Sequence, residues 1–141
     1  MFSKRSSQTT NAEAPVTVLA ILTSQTDRAQ LESIFEKAGW RIVFANSIEE
    51  LTTQPILIVL YDRDLPGADW RQAIQKLATS QPSRKVILAS FVADDYLWEE
   101  VIHFGGYDIL PKPFRESEVR HVIQFAWAAV TKSLPSGQHT K

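Results

Sequence analysis

Apolar runs of strand length alternate with segments of helical period along almost the whole chain, and this alternation limits the possible folds more than any single motif. The runs are VTVLAIL (16–22), RIVFAN (41–46), ILIVLY (56–61), KVILAS (85–90) and YDIL (107–110). Several are near-continuous in Val, Ile and Leu, as expected of strands covered on both faces. Between them, apolar residues recur at three- and four-residue spacing. Leu31, Ile34, Phe35 and Ala38 form one such face and end at Gly39, a residue suited to a helix stop. Trp70, Ile74, Leu77 and Ala78 form another, and Leu97, Val101 and Phe104 a third, which Gly105-Gly106 closes. Val119, Val122, Ile123, Ala126, Trp127 and Val130 mark a last helix over 116–132. Ser47 and Glu50 have capping-box spacing and open a short helix, SIEELTT, that Pro55 ends; Asp94 is placed as the N-cap of the helix before Gly105.

Five strands in strict alternation with five helices, joined by right-handed crossovers, make an α/β domain around a parallel sheet. Five strands fit the flavodoxin-like (βα)5 doubly wound arrangement, with strand order 2-1-3-4-5. The 141 residues suit a single domain. It is expected over residues 15–133, with polar tails at 1–14 and 134–141 expected to be disordered.

Composition excludes several classes of function. There are no cysteines, hence no disulfide framework, thiolate metal site or cysteine nucleophile. The three histidines, His103, His121 and His139, are too widely spaced to suggest a metal cluster. A net charge of −1 with mixed signs gives no bulk attraction to nucleic acid or membranes. The first residues, MFSKRSSQTTNAEAP, contain no apolar core of a signal peptide, and no run is long enough to span a bilayer. The expected location is the cytoplasm.

Ligands of doubly wound sheets bind beyond the carboxyl ends of the strands. That edge should bring together Asp62 after the third strand, Ser90 after the fourth and Lys112 just after the fifth. Taken singly, each has an ordinary structural role: a turn carboxylate, a strand-end hydroxyl, a solvated ammonium. In one crevice they form a nucleophile toward phosphorus, a hydrogen-bond donor and a positive charge, the electrostatic set that phosphoryl transfer requires.

From about Pro15 to Val130 the chain resembles a response-regulator receiver domain of two-component signalling. The similarity rests on Asp62 ahead of Pro66-Gly67, on VILAS ending in Ser90, and on YDILPKPF, where Lys112 precedes Pro113. It implies that Asp62 is a phosphoacceptor for a histidine kinase. It also implies that Ser90 and Lys112 bind the phosphoryl oxygens, and that the Lys112–Pro113 peptide is cis. Any chemistry would be self-catalysed phosphoryl acceptance and loss, not turnover of a separate substrate.

Two features depart from that family. Its members carry adjacent acids after the first strand that hold Mg²⁺ with the phosphoacceptor; here Leu22, Thr23 and Ser24 stand there. Asp27 is expected to lie too far into the first helical turn to replace them. One missing unit charge at contact distance is worth about 4 kcal/mol at an effective dielectric near 20, about a thousandfold in rate. The resemblance implies a Mg²⁺ cofactor, the lost charge counts against it, and Mg²⁺-dependent phosphorylation is expected to be impaired. Asp64 could add a carboxylate oxygen beside Asp62, and Arg63 could supply a fixed positive charge; both could equally be solvated loop residues. A retained Asp62 and Lys112 without metal could be an ion pair that holds the crevice shut. The second departure is Ile109, at a switch position where the family often has an aromatic residue.

The resemblance also implies a contact face built from the fourth helix, fifth strand and fifth helix, used for homodimers or signalling targets. Trp98, Ile102 and Phe125 fall outside the core stripes of those helices, so they are candidates for it. Trp70 stands where the family commonly has glycine and could overhang the entrance near Asp62. Only eleven residues follow Val130, so no output domain is expected after it. The expectation is an atypical receiver acting through protein contacts, with no nucleic-acid or membrane partner. The alternatives are a competent phosphoacceptor with relaxed metal needs and a small-molecule-binding flavodoxin-like module. The chain has neither a GxGxxG motif nor a P-loop for the latter.

Overall fold

A computed structural model describes residues 15–53 and 55–132; the tails expected at 1–14 and 134–141 lie outside the described residues. The strands are β1 (Thr17–Ile21), β2 (Arg41–Phe44), β3 (Ile58–Asp62), β4 (Lys85–Ser90) and β5 (Asp108–Pro111). The helices are α1 (Gln25–Ala38), α2 (Ile48–Thr53), α3 (Trp70–Ser80), α4 (Asp95–His103) and α5 (Glu116–Lys132). All strand pairs are parallel, in the order β2-β1-β3-β4-β5. The flavodoxin-like order expected from the sequence is the one observed.

Successive strand residues point to opposite faces of the sheet, and this splits the core in two. Val18, Ala20, Ile58, Leu60, Ile87, Ala89 and Leu110 pack with Leu31, Ile34 and Phe35 of α1 and Val119, Ile123 and Ala126 of α5. Leu19, Ile21, Val59, Tyr61, Val86, Leu88 and Ile109 pack with Trp70, Ile74 and Leu77 of α3 and Leu97 and Val101 of α4. Both faces of the inner strands are therefore dry, and every residue of β3 is buried. The continuous apolar runs follow from this arrangement.

The helix boundaries follow local chemistry. Ser24, Asp69 and Asp94 are N-caps, accepting from the backbone N–H groups of Asp27, Arg71 and Leu97. Gly39 ends α1 in the left-handed region, at φ 76°. The Ser47–Glu50 pattern forms in part: Ser47 Oγ accepts from the Glu50 N–H, while Glu50 Oε1 accepts from the N–H of Asn46, one residue before the cap. Buried Arg84, which drew no notice in the sequence, fastens the α3–β4 turn through the Ile56 carbonyl and the Ser80 hydroxyl.

The place expected for Trp70 is wrong. The Asp69 cap makes Trp70 the first residue of α3, on the same side as Ala73, Ile74 and Leu77. Its ring is therefore buried edge-on to Phe104, 6.4 Å between centroids, with the Arg71 guanidinium 4.7 Å from its centre. It packs in the core and does not overhang the Asp62 entrance.

Gly106 is required by space. A Cβ there would lie 2.5 Å from Val101 Cγ1 and 3.0 Å from the Val101 carbonyl oxygen, at the approach of α4 to β5. Gly106→Ala should therefore cost about 1–3 kcal/mol by overpacking, read as a lower urea midpoint at unchanged slope.

Candidate functional site

The crevice beyond the strand ends is organised around one ammonium. Lys112 Nζ lies 3.0 Å from Asp62 Oδ1, 3.4 Å from Asp27 Oδ2 and 3.6 Å from Asp64 Oδ2, with its side chain only 2% exposed. Each carboxylate reaches it from a different element. Asp62 ends β3 on the same side of the sheet as Ile58 and Leu60, facing α1. Asp27 comes from the first turn of α1, and Asp64 from the loop that leaves β3. The Lys112–Pro113 peptide is cis, as the family resemblance implies.

Asp62 is fully buried, and both its oxygens are engaged. Oδ1 accepts from Lys112 Nζ and, at 3.0 Å, from the Asp64 backbone N–H. Oδ2 accepts from the Thr23 backbone N–H at 3.2 Å and the Thr23 hydroxyl at 3.1 Å. Burial pushes the Asp62 carboxyl up. The bonds from the Asp64 backbone, Lys112 and the Thr23 backbone, with the charge of Lys112, outweigh it and leave the group below the usual carboxylate range. Burial likewise pulls the Lys112 ammonium down, and Asp62 and Asp27 more than reverse that.

Three residues of this pocket were not found from the sequence in the roles they hold. Asp27, expected to lie too far into the first helical turn to replace the missing acids, is buried and is turned to Lys112. The available signal was its spacing: Asp27, Leu31 and Ile34 share the inward face of α1. Thr23, noted only as a missing acid, is a double donor to Asp62. Phe91, directly after Ser90, sets its ring 4.7 Å from Lys112 Nζ and covers the ammonium from the solvent side while staying 64% exposed.

The other expected site residues are distributed unevenly. Ser90 sits at the end of β4, opposite Pro111. Its hydroxyl accepts from the Val92 N–H at 3.0 Å, which ties the β4–α4 loop down without bonding to Asp62. Ile109 is buried among the residues of the α3–α4 side. Leu22 is buried, and its carbonyl accepts from two nitrogens of Arg28, so a guanidinium occupies the end of β1. Ser24 is used as the α1 cap. Arg63 is half-buried, and its Nε has no hydrogen-bond partner among the described residues. Trp98, Ile102 and Phe125 are all exposed, away from the pocket.

A doubly wound parallel sheet with an acid and a lysine joined across its carboxyl edge defines a class of single-domain α/β proteins with a polar site at the strand ends. The particular family follows from sequence: residues 18–124 match the response regulator receiver domain, and the chain belongs to that family. It is a receiver domain of two-component signalling. Fimbriae Z protein of Escherichia coli K12 is 21% identical over 117 residues, covering 83% of this chain and 54% of that protein. The chain thus spans about half the length of the curated relatives it matches. In fold it is similar to a CheY-like receiver domain protein of Methanospirillum hungatei, with a TM-score of 0.75 at 15% identity, covering 86% of this chain and 100% of that one. It is also similar to the receiver domain of a Pseudomonas aeruginosa sensor histidine kinase that holds a magnesium ion in its active-site cleft. That TM-score is 0.68 at 19% identity, covering 79% of this chain and 97% of that one.

Stability should depend on pH through this pocket in a defined direction. Because Asp62 is lowered by folding, its contribution is complete above the ordinary aspartate value of 3.8 and is lost as pH falls through the lower folded value. Because Lys112 is raised, its contribution is complete below the ordinary lysine value of 10.5 and is lost as pH rises through the higher folded value. Lys112→Met should cost about 3–5 kcal/mol near neutrality, because it strands a buried carboxylate. Urea unfolding across pH should show the gap to wild type narrowing at both extremes.

Proposed function

We propose that the unit over residues 15–133 is an atypical cytoplasmic receiver. In it Asp62 serves first as one arm of a buried ion pair, Mg²⁺-dependent phosphorylation is impaired, and output passes through protein contacts with a histidine kinase or a signalling target. One observation carries this reading: both oxygens of Asp62 are met from within the chain, by Thr23, Asp64 and Lys112, with no exposed carboxylate surface left. An attacking carboxylate must present a lone pair to phosphorus in line with the leaving group. Here Lys112 or Thr23 would first have to let go.

The donors around Asp62 do not fit Mg²⁺. That ion requires near-octahedral oxygen and is usually anchored by carboxylates. The Leu22 carbonyl is held by the Arg28 guanidinium, and Thr23 directs its hydroxyl proton at Asp62. Asp27 and Asp64, the other acids within reach, both face the Lys112 ammonium. Lys112 supplies the neutralising charge that a cation would otherwise provide. Asp64 as a substitute ligand beside Asp62 would have to leave the ammonium 3.6 Å away. The second reading, a competent phosphoacceptor with a relaxed metal requirement, has Asp27 in its favour, since that residue returns one acid to the pocket from α1.

Acetyl phosphate with Mg²⁺ separates the two by intact-mass measurement. The expected outcome is little or no added phosphoryl mass on the wild-type chain. Stoichiometric labelling that disappears in Asp62→Asn would establish the second reading instead.

A further inference from the structure

The acids of this chain are unevenly placed. Between Val86 and Pro111 there are five acidic residues, Asp94, Asp95, Glu99, Glu100 and Asp108, and no Lys or Arg, in a chain whose net charge is only −1. Two of the five have evident structural duties: Asp94 caps α4, and Glu100 pairs with Arg71 at 2.9 Å. Asp95 and Glu99 have neither. They are exposed and have no ion-pair or hydrogen-bonding partner among the described residues.

Helical spacing sets Asp95 and Glu99 beside an apolar stripe. At about 100° per residue, Trp98, Ile102, Asp95 and Glu99 follow one another around α4 within an arc of about 100°. Leu97 and Val101 hold the opposite, buried side. Trp98 and Ile102 remain 46% and 40% exposed, with Tyr96 at 75% on the far flank of the acids. One helix face therefore carries an apolar stripe and an unpaired acidic stripe side by side.

We propose that this face of α4 docks a basic amphipathic segment of a partner protein, its aliphatic side chains on Trp98 and Ile102 and its Lys or Arg groups on Asp95 and Glu99. The proposal rests on the reading that output passes through protein contacts, and it specifies the partner's chemistry. Charge decides the occupant. A second copy seated α4 against α4, with the two-fold axis through this stripe, would bring the acids of both copies together. A basic partner gains where a second copy loses, and Arg guanidinium can also stack on Trp98 and Tyr96.

The test uses the full chain and a short amidated peptide of leucine with Lys and Arg at helical spacing. A control peptide carries Glu at the basic positions. Binding is followed by titration calorimetry. The expected result is 1:1 binding of the basic peptide alone. It should weaken about tenfold in the Asp95→Asn, Glu99→Gln double variant, be lost in Trp98→Ala, and be unchanged in Glu32→Gln, Glu36→Gln, which removes the same charge from α1. Equal weakening in both double variants, or no binding, overturns the proposal. Loss in Trp98→Ala without any charge effect keeps the contact face but removes the basic partner. Concentration-dependent dimerisation of the free chain that Trp98→Ala abolishes assigns the face to a second copy. None of these readouts depends on whether Asp62 accepts a phosphoryl group, so the two readings fail separately.

Discussion

An ammonium moved from water into a protein interior loses several kcal/mol of hydration, and it is tolerated only where opposite charge and good geometry replace that loss. Lys112 meets the condition with Asp62 at 3.0 Å, Asp27 at 3.4 Å and Asp64 at 3.6 Å. Because the three acids come from β3, α1 and the loop after β3, the ammonium fixes the relative positions of elements far apart in sequence. The sheet can hold two dry faces because the polar groups at its carboxyl edge satisfy one another. Removing Lys112 strands the fully buried Asp62 carboxylate, and removing Asp62 takes the nearest carboxylate from the buried ammonium, which is a steeper loss than the pair's net worth.

On the proposed reading, the same contacts limit what the edge can do chemically. A receiver site that exchanges phosphoryl groups needs a carboxylate free to attack and a cation able to come and go. In this chain the charge is covalently attached, and Thr23 directs two donors at the oxygen that Lys112 leaves over. Phe91 lies across the ammonium, and Val92 is tied to Ser90, so the β4–α4 loop forms part of the closure. The loop then leads directly into α4, whose outward face carries Trp98, Ile102, Asp95 and Glu99. The loop beside the ammonium and the exposed helix face are thus consecutive pieces of one segment.

The sheet order and most helix positions could be read from the sequence because they follow from periodicity. A buried parallel strand needs apolar residues at every position, a surface helix needs them at every third or fourth, and both patterns are dense in this chain. Strand edges were less legible: Asp62 is itself the last residue of β3, paired with Ala89, although an acid looks like the first residue beyond a run. The helical register of Trp70 with Ile74 and Leu77 decides its place in the core, against the family pattern of a small residue there. Asp27 stands outside the family's acidic pair in sequence, yet its register with Leu31 and Ile34 on the inward face of α1 brings it to Lys112. The engagement of the Ser90 hydroxyl with Val92 has no sequence signature, since it depends on where a loop backbone turns. Likewise, Thr23 marks a lost acid in sequence and acts as a donor in space; only the distance to Asp62 distinguishes these roles.

The carboxyl carbon of Asp62, observed by NMR through a pH titration and then a Mg²⁺ titration, tests the central claim most directly. The structure predicts a resonance that stays in its ionised position below the ordinary aspartate midpoint and does not move with Mg²⁺ at concentrations that saturate a magnesium-binding receiver. An ordinary midpoint, or a saturable displacement by Mg²⁺, would mean that Lys112 and Thr23 do not hold this carboxylate and that the pocket is open.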